Sequence, residues 1–168
     1  DVHTFELYEN DKRNSEWYKK GEDKDIYYQF WDMDSLISEY ADLHYPNGQL
    51  IEKISYKEGL KNGKFTGYFQ NGAKKYVKRY ENDEPEGKWQ YYTMAGKTNA
   101  EEIYVGGKRN EEWFRIEENG DTYYQYWDLD SLVSEYADLH YPNGQLIEKI
   151  SYKKGLKDGK FTGYYENG

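Results

Sequence analysis

The sequence predicts an all-β fold, an elongated single-layer antiparallel meander built from about seven tandem β-hairpin units of 24 residues. Three observations predict it. Tyr8, Asp32, Tyr56, Tyr80, Tyr104, Asp128 and Tyr152 stand 24 residues apart along the whole chain. Asn-Gly recurs on the same ruler between runs rich in Tyr, Ile, Phe and Lys. Those runs alternate side chains in the two-residue period of a strand, as in Phe65, Gly67 and Phe69, or Leu50, Ile54 and Tyr56, or Ile26, Tyr28 and Phe30.

Each element follows from these columns. The Asn-Gly pairs at Asn47-Gly48, Asn71-Gly72, Asn119-Gly120, Asn143-Gly144 and Asn167-Gly168, with Ala95-Gly96 and Asp23-Lys24 as degenerate versions, predict one turn per unit, of type I′. A second turn is expected in segments such as 58–63 and 82–87. Strands are expected at about 64–69 and 74–80, and at equivalent places in the other units. A bulky aromatic column runs through Trp17, Phe65, Trp89, Trp113 and Phe161, with Ala41 and Ala137 in the two remaining units. The segment from Asp34 to Leu43 and its copy from Asp130 also carry a helical signal, since Leu36, Tyr40 and Leu43 fall at helical spacing behind a capping Asp or Ser. The 24-residue ruler passes through both segments unbroken and favours strands.

A longer repeat is superimposed on the short one. Residues 34–72 reappear as 130–168 with only five differences, at 37/133, 58/154, 62/158, 69/165 and 70/166, an offset of 96 residues, which is four units. Residues 1–168 are therefore expected to be one tandem-repeat array, a piece of a longer one.

Composition bounds the function. Aromatic residues make up 19% of the 168 positions, with 21 Tyr and 5 Trp, while all hydrophobic residues reach only 36%, so rings must replace aliphatic packing. A formal charge of −9 argues against nucleic acid and against an anionic membrane as the main ligand. The absence of Cys removes disulfides and thiolate metal sites and leaves the compartment open.

Tyr45-Pro46-Asn47-Gly48-Gln49-Leu50, Tyr56 to Phe65, Tyr68-Phe69-Gln70-Asn71-Gly72 and Tyr80 to Tyr92 share one shape: a Tyr, a few residues, Gly-Lys-aromatic, a Tyr pair, then Asn-Gly. This pattern resembles the bacterial MORN-repeat variant family over nearly the whole chain. The third, fourth and seventh units match most fully, while Ser15, Glu39, Glu111 and Glu135 replace the turn Gly in the others. The resemblance implies successive β-hairpins and a binding or scaffolding role, with some members labelled antitoxin-like, and it brings no catalytic residues.

Each chemistry-bearing pair also admits a plain structural role. Asp32 with Asp34, and Asp128 with Asp130, could hold Ca²⁺ from one side of a strand, but no EF-hand spacing accompanies them and solvated turn carboxylates are the expectation. Asp42 with His44, and Asp138 with His140, could orient an imidazole, yet Ser38 and Ser134 lack any nucleophile signature. No enzyme, metal or cofactor is expected. The aromatic residues Trp17, Tyr27, Tyr28, Trp31, Trp89, Trp113, Tyr123, Tyr124 and Trp127 are the candidate binding surface, since a thin sheet has two faces and too few aliphatics to cover both. A protein partner is expected, with a glycan or a basic toxin as alternatives and self-association through open strand edges as a further expectation. The duplicated blocks could bind two copies of one partner.

Overall fold

The computed structural model describes residues 4–21, 24–153 and 156–167. Every regular element among them is a β-strand, connected as an antiparallel meander that does not close into a barrel. The chain divides into two compact units, one made of residues 1–85 and 92–96, the other of residues 86–91 and 97–168. Each contains one copy of the duplicated block.

In the first unit the strands Ser15–Lys20, Ile26–Asp32, Ser35–His44, Leu50–Lys57, Gly63–Tyr68 and Lys74–Glu81 pair in succession, each antiparallel to the next. In the second, Thr98–Val105, Glu111–Ile116, Thr122–Asp128, Ser131–His140 and Leu146–Lys153 do the same. The helical signal at 34–43 and 130–139 is overruled: both segments lie in ten-residue strands, Ser35–His44 and Ser131–His140, with partners on both sides. Strand partners on both edges take up most of the backbone groups, and this outweighs a three-residue apolar spacing.

Among the described residues the Asn-Gly sites do not form the expected type I′ turns, and the tight turns lie in the second segment of each repeat. Tight two-residue turns with both residues at positive φ occur at Asn10-Asp11, Met33-Asp34, Glu58-Gly59, Asn82-Asp83, Gly106-Gly107 and Leu129-Asp130. The Asn-Gly sites instead form three-residue loops in which only the Gly is left-handed. Gly48 N–H donates to Tyr45 O at 2.7 Å, and Tyr45 N–H donates to Gln49 O at 2.7 Å. Here Pro46 holds the first loop position at negative φ, and the Asn47 carboxamide oxygen accepts from Gln49 N–H at 3.0 Å. Asn71, Asn119 and Asn143 accept in the same way from the residue two positions on. In the degenerate loop Lys24 takes the glycine's place at φ 73, while Asp23 lies outside the described residues, as does Gly168.

The duplicated blocks also shift the anchor column by one residue. Around most tight turns the mouth is closed by a Tyr, as in Tyr8↔Arg13, Tyr56↔Lys61, Tyr80↔Pro85 and Tyr104↔Arg109. In the other two hairpins the equivalent pairs are Trp31↔Leu36 and Trp127↔Leu132, so Trp and not Asp32 or Asp128 occupies the Tyr place. A one-residue bulge at Ile37 and at Val133, where pairing jumps from Trp31↔Leu36 to Phe30↔Ser38 and from Trp127↔Leu132 to Tyr126↔Ser134, restores the 24-residue count. Both bulged side chains are about half exposed (46% and 48%).

Candidate functional site

Alternation along the paired strands sorts the aromatic residues onto two faces. On one face of the first unit lie Trp17, Tyr27, Gln29, Trp31, Glu39 and Ala41, and on the opposite face Glu16, Tyr18, Tyr28, Phe30, Tyr40 and Asp42. The second unit repeats this with Trp113, Tyr123, Gln125, Trp127, Glu135 and Ala137 against Glu112, Phe114, Tyr124, Tyr126, Tyr136 and Asp138.

The tryptophan face is where the core sits. Ala41, Phe65, Trp89, Trp127, Ala137 and Ile150 are the buried hydrophobic side chains. Rings run along it edge to edge: Tyr8 to Trp17 at 5.3 Å and Trp17 to Trp31 at 6.0 Å in the first unit, Trp89 to Tyr104 at 4.7 Å, Tyr104 to Trp113 at 5.0 Å and Trp113 to Trp127 at 5.9 Å in the second. Each such pair is worth roughly 0.5–1.5 kcal/mol beyond area burial, so the ladder substitutes for an aliphatic core. Two Trp N–H groups tie the ladder to backbone, Trp17 to Leu7 O at 3.1 Å and Trp113 to Ile103 O at 2.9 Å.

The sequence did not single out the arginines that close this face. The Arg13 guanidinium carbon lies 4.7 Å from the Trp17 ring and 4.6 Å from Trp31, and its counterpart Arg109 lies 5.9 Å from Trp113 and 4.0 Å from Trp127. The signal was the 96-residue repeat itself, because Arg13 and Arg109 stand at the same offset as the tryptophans they cover.

The tyrosine face carries stacked rings bonded to carboxylates. Tyr28 stacks on Tyr40 at 4.2 Å, and Tyr124 on Tyr136 at the same distance. The Tyr40 hydroxyl donates to Glu16 at 3.1 Å, and the Tyr136 hydroxyl to Glu112 at 2.6 Å, both spanning one 24-residue period. Desolvation, aided by the Glu16 hydrogen bond, pushes the Tyr40 phenol up to about 12; desolvation and Glu112 push Tyr136 up further.

The carboxylates considered for metal have other work. Asp34 accepts from Arg13 N–H at 2.8 Å while its own N–H donates to Arg13 O at 3.0 Å, and Asp130 does the same with Arg109. The Arg109 backbone hydrogen bond holds the Asp130 carboxyl below its ordinary value. Asp83 forms a third such clip with Lys61. Asp32 and Asp128 are exposed beside the tight turns. No cluster of three or more His, Asp or Glu suited to a metal ion occurs among the described residues.

The Asp42–His44 and Asp138–His140 pairs that could have oriented an imidazole do not form. Asp42 and Asp138 bind Lys53 and Lys149 at 2.9 and 3.0 Å, across the strand pair. The carboxylates near His44 and His140 are Asp25 and Asp121, whose oxygens accept the histidines' backbone N–H at 2.6 Å and lie 3.8 and 3.9 Å from Nδ1. A carboxylate that anchors backbone positions the strand end and leaves the ring no hydrogen-bonded base geometry.

Of the nine aromatic candidates, Trp89 and Trp127 are buried in the ladder, and Trp17, Trp31, Trp113, Tyr28 and Tyr124 are partly buried in ring contacts. Tyr27 and Tyr123 are the exposed ones, at 45% and 39%, and Tyr18 and Tyr126 join them on the opposite face. No family model matches the sequence, and no curated protein matches it.

Proposed function

We propose that this chain is a MORN-variant repeat array that works as a non-enzymatic scaffold, gripping a protein partner through the rings and carboxylates its sheet leaves exposed. The reading rests chiefly on one observation: the Trp ladder takes up the packing, and equivalent tyrosines four repeats apart, Tyr27 and Tyr123, remain exposed. Exposed Tyr is a favoured contact residue because it brings large area at low entropic cost, with a hydroxyl for hydrogen bonding. The 24-residue hairpin period and the Gly-Lys-aromatic pattern supply the family part of the reading.

Affinity retention on the immobilised chain, set against a Tyr27→Ala/Tyr123→Ala variant of unchanged circular dichroism, tests it. A partner retained by the parent chain, released by the variant and reconstituted from purified components supports the scaffold. Retention indifferent to both substitutions, or turnover of a substrate by the purified chain, overturns it.

A further inference from the structure

On the tryptophan face of the second unit, a cavity of about 360 Å³ is lined by Glu102, Trp113, Tyr123, Gln125, Glu135 and Tyr152. The geometry points to this cavity as the seat for an arginine side chain of a basic partner, an inference that rests on the scaffold reading and adds the chemistry of what is gripped.

Its walls and floor have complementary chemistry. Tyr123 and Tyr152 line it with rings, as does Trp113, whose ring also meets Tyr104 and Trp127, and the Glu102 and Glu135 carboxylates supply negative charge. Glu102 is oriented by two hydroxyls that donate to the same oxygen, Tyr91 at 2.9 Å and Tyr104 at 3.2 Å. Arg115 also lines the cavity, its guanidinium carbon 5.7 Å from the Tyr123 ring, its Nε bound to Glu117 at 2.7 Å and its side chain 66% exposed. A chain with formal charge −9 draws a cation toward such a site.

Guanidinium is favoured over ammonium because the tryptophan pairs of this face each take one, Arg13 against Trp17 and Trp31 and Arg109 against Trp113 and Trp127, and Arg115 meets Tyr123. A planar guanidinium stacks on a ring while its fork meets a carboxylate, a combination that a lysine ammonium lacks.

The duplicated copy provides an internal contrast. In the first unit Gln29 closes the equivalent place: its Nε2 donates to Glu39 at 2.7 Å, and its Oε1 accepts from Trp31 Nε1 at 3.2 Å. In the second unit this relay is broken. Trp127 Nε1 is buried without a partner, with its side chain only 8% exposed, and no hydrogen bond joins Gln125 to Glu135 among the described residues. Two blocks of nearly identical sequence thus present one carboxylate that is satisfied internally and one that is open.

Calorimetric titration of the full chain with an acetylated, amidated hexapeptide of alternating Arg and Gly tests the site, with the citrulline version as the neutral isostere. Expected are one site per chain, at least tenfold weaker binding by Glu135→Gln and by Tyr123→Ser, little change in Glu39→Gln, and no binding of the citrulline peptide. Equal weakening by Glu39→Gln and Glu135→Gln would show a diffuse acidic field and overturn the assignment, as would citrulline binding or no arginine-peptide binding at all. A protein partner still retained by Glu135→Gln but released by Tyr27→Ala/Tyr123→Ala leaves the scaffold standing while this site falls.

Discussion

Gly67 lies against the ring of Tyr76: a Cβ at Gly67 would stand 2.4 Å from Cζ of that ring and 2.5 Å from Cε1. The two residues face each other in register across neighbouring strands, and the ring must cross Gly67 to donate its hydroxyl to Glu52 at 2.7 Å. One missing side chain therefore permits a hydrogen bond that spans a whole 24-residue repeat.

Gly67→Ala forces that ring off its seat and should destabilise the chain by about 1–3 kcal/mol, the usual cost of overpacking. Because the damage passes through one partner, Tyr76→Ala should make Gly67→Ala nearly silent. A double-mutant cycle in urea measures this, and additive losses would break the link between the two residues.

The left-handed positions give a second prediction. Ser15 and Glu111 sit at φ 71 and 58, where Gly63, Gly87 and Gly159 stand in other repeats at φ 94, 65 and 95. Between Tyr56↔Lys61 and Lys53↔Thr66 the outgoing strand advances three residues and the returning one five, and the left-handed residue absorbs that excess. Glu135 belongs to the same sequence column yet pairs as an ordinary strand residue with Gln125, because the bulge at Val133 has already absorbed the slack. Glu111→Gly should therefore stabilise by about 0.5–1 kcal/mol, and Glu135→Gly should destabilise by a similar amount. Equal effects at the two positions, read from urea midpoints, would refute the assignment.

The aspartate clips give a third. Lys61 N–H donates to Asp83 at 2.7 Å, while Asp83 N–H returns a bond to Lys61 O at 3.0 Å, joining one tight turn to the next. Asp83→Ala removes the acceptor and should cost roughly 1 kcal/mol. The loss should be local. Hydrogen exchange at the Lys61 amide should quicken by about tenfold, while the amides of Gly63–Tyr68 keep their protection; uniform acceleration would mean that the clip has no special role.

Much of this architecture could be read from residues alone, and its limits have physical causes. The 24-residue ruler located the Asn-Gly loops of the described residues and the second turns at 58–63 and 82–87, because Gly, Asn and Asp mark the points where φ turns positive. It could not say which turn was which, since loop type depends on where the flanking strands pair: Asn71-Gly72 would suit a two-residue turn if Phe69 were not bonded to Ala73. The slip that puts Trp31 in the Tyr place was hidden because a bulge at Ile37 cancels it within the same unit. Of the site, the rings were legible and their division between ladder and solvent was not, as face depends on register. The difference between Gln29 and Gln125 lies beyond any local sequence, since both stand in the same Tyr-Tyr-Gln context.

The tyrosine–glutamate bonds should make the fold sensitive to alkali. Tyr40, Tyr76 and Tyr136 each donate to a carboxylate one repeat away, at 3.1, 2.7 and 2.6 Å. Desolvation, then the bonded carboxylate, raises each phenol above its ordinary value of 10.0, to about 12 for Tyr40 and higher for the other two. A raised pKa means that the folded chain keeps protons which the unfolded chain releases near pH 10, so the unfolded state gains on the folded one as pH climbs. The contribution of these bonds is complete below pH 10 and is lost from there upward, through about pH 12 for Tyr40. Urea midpoints measured from pH 8 upward should fall steeply above about pH 10, as tyrosinate absorbance appears. In the Tyr40→Phe/Tyr76→Phe/Tyr136→Phe variant the midpoint should be lower at neutral pH and the alkaline fall shallower, since three phenols that hold their protons in the folded state are gone. An unchanged alkaline slope would show that these three hydroxyls do not couple protonation to folding.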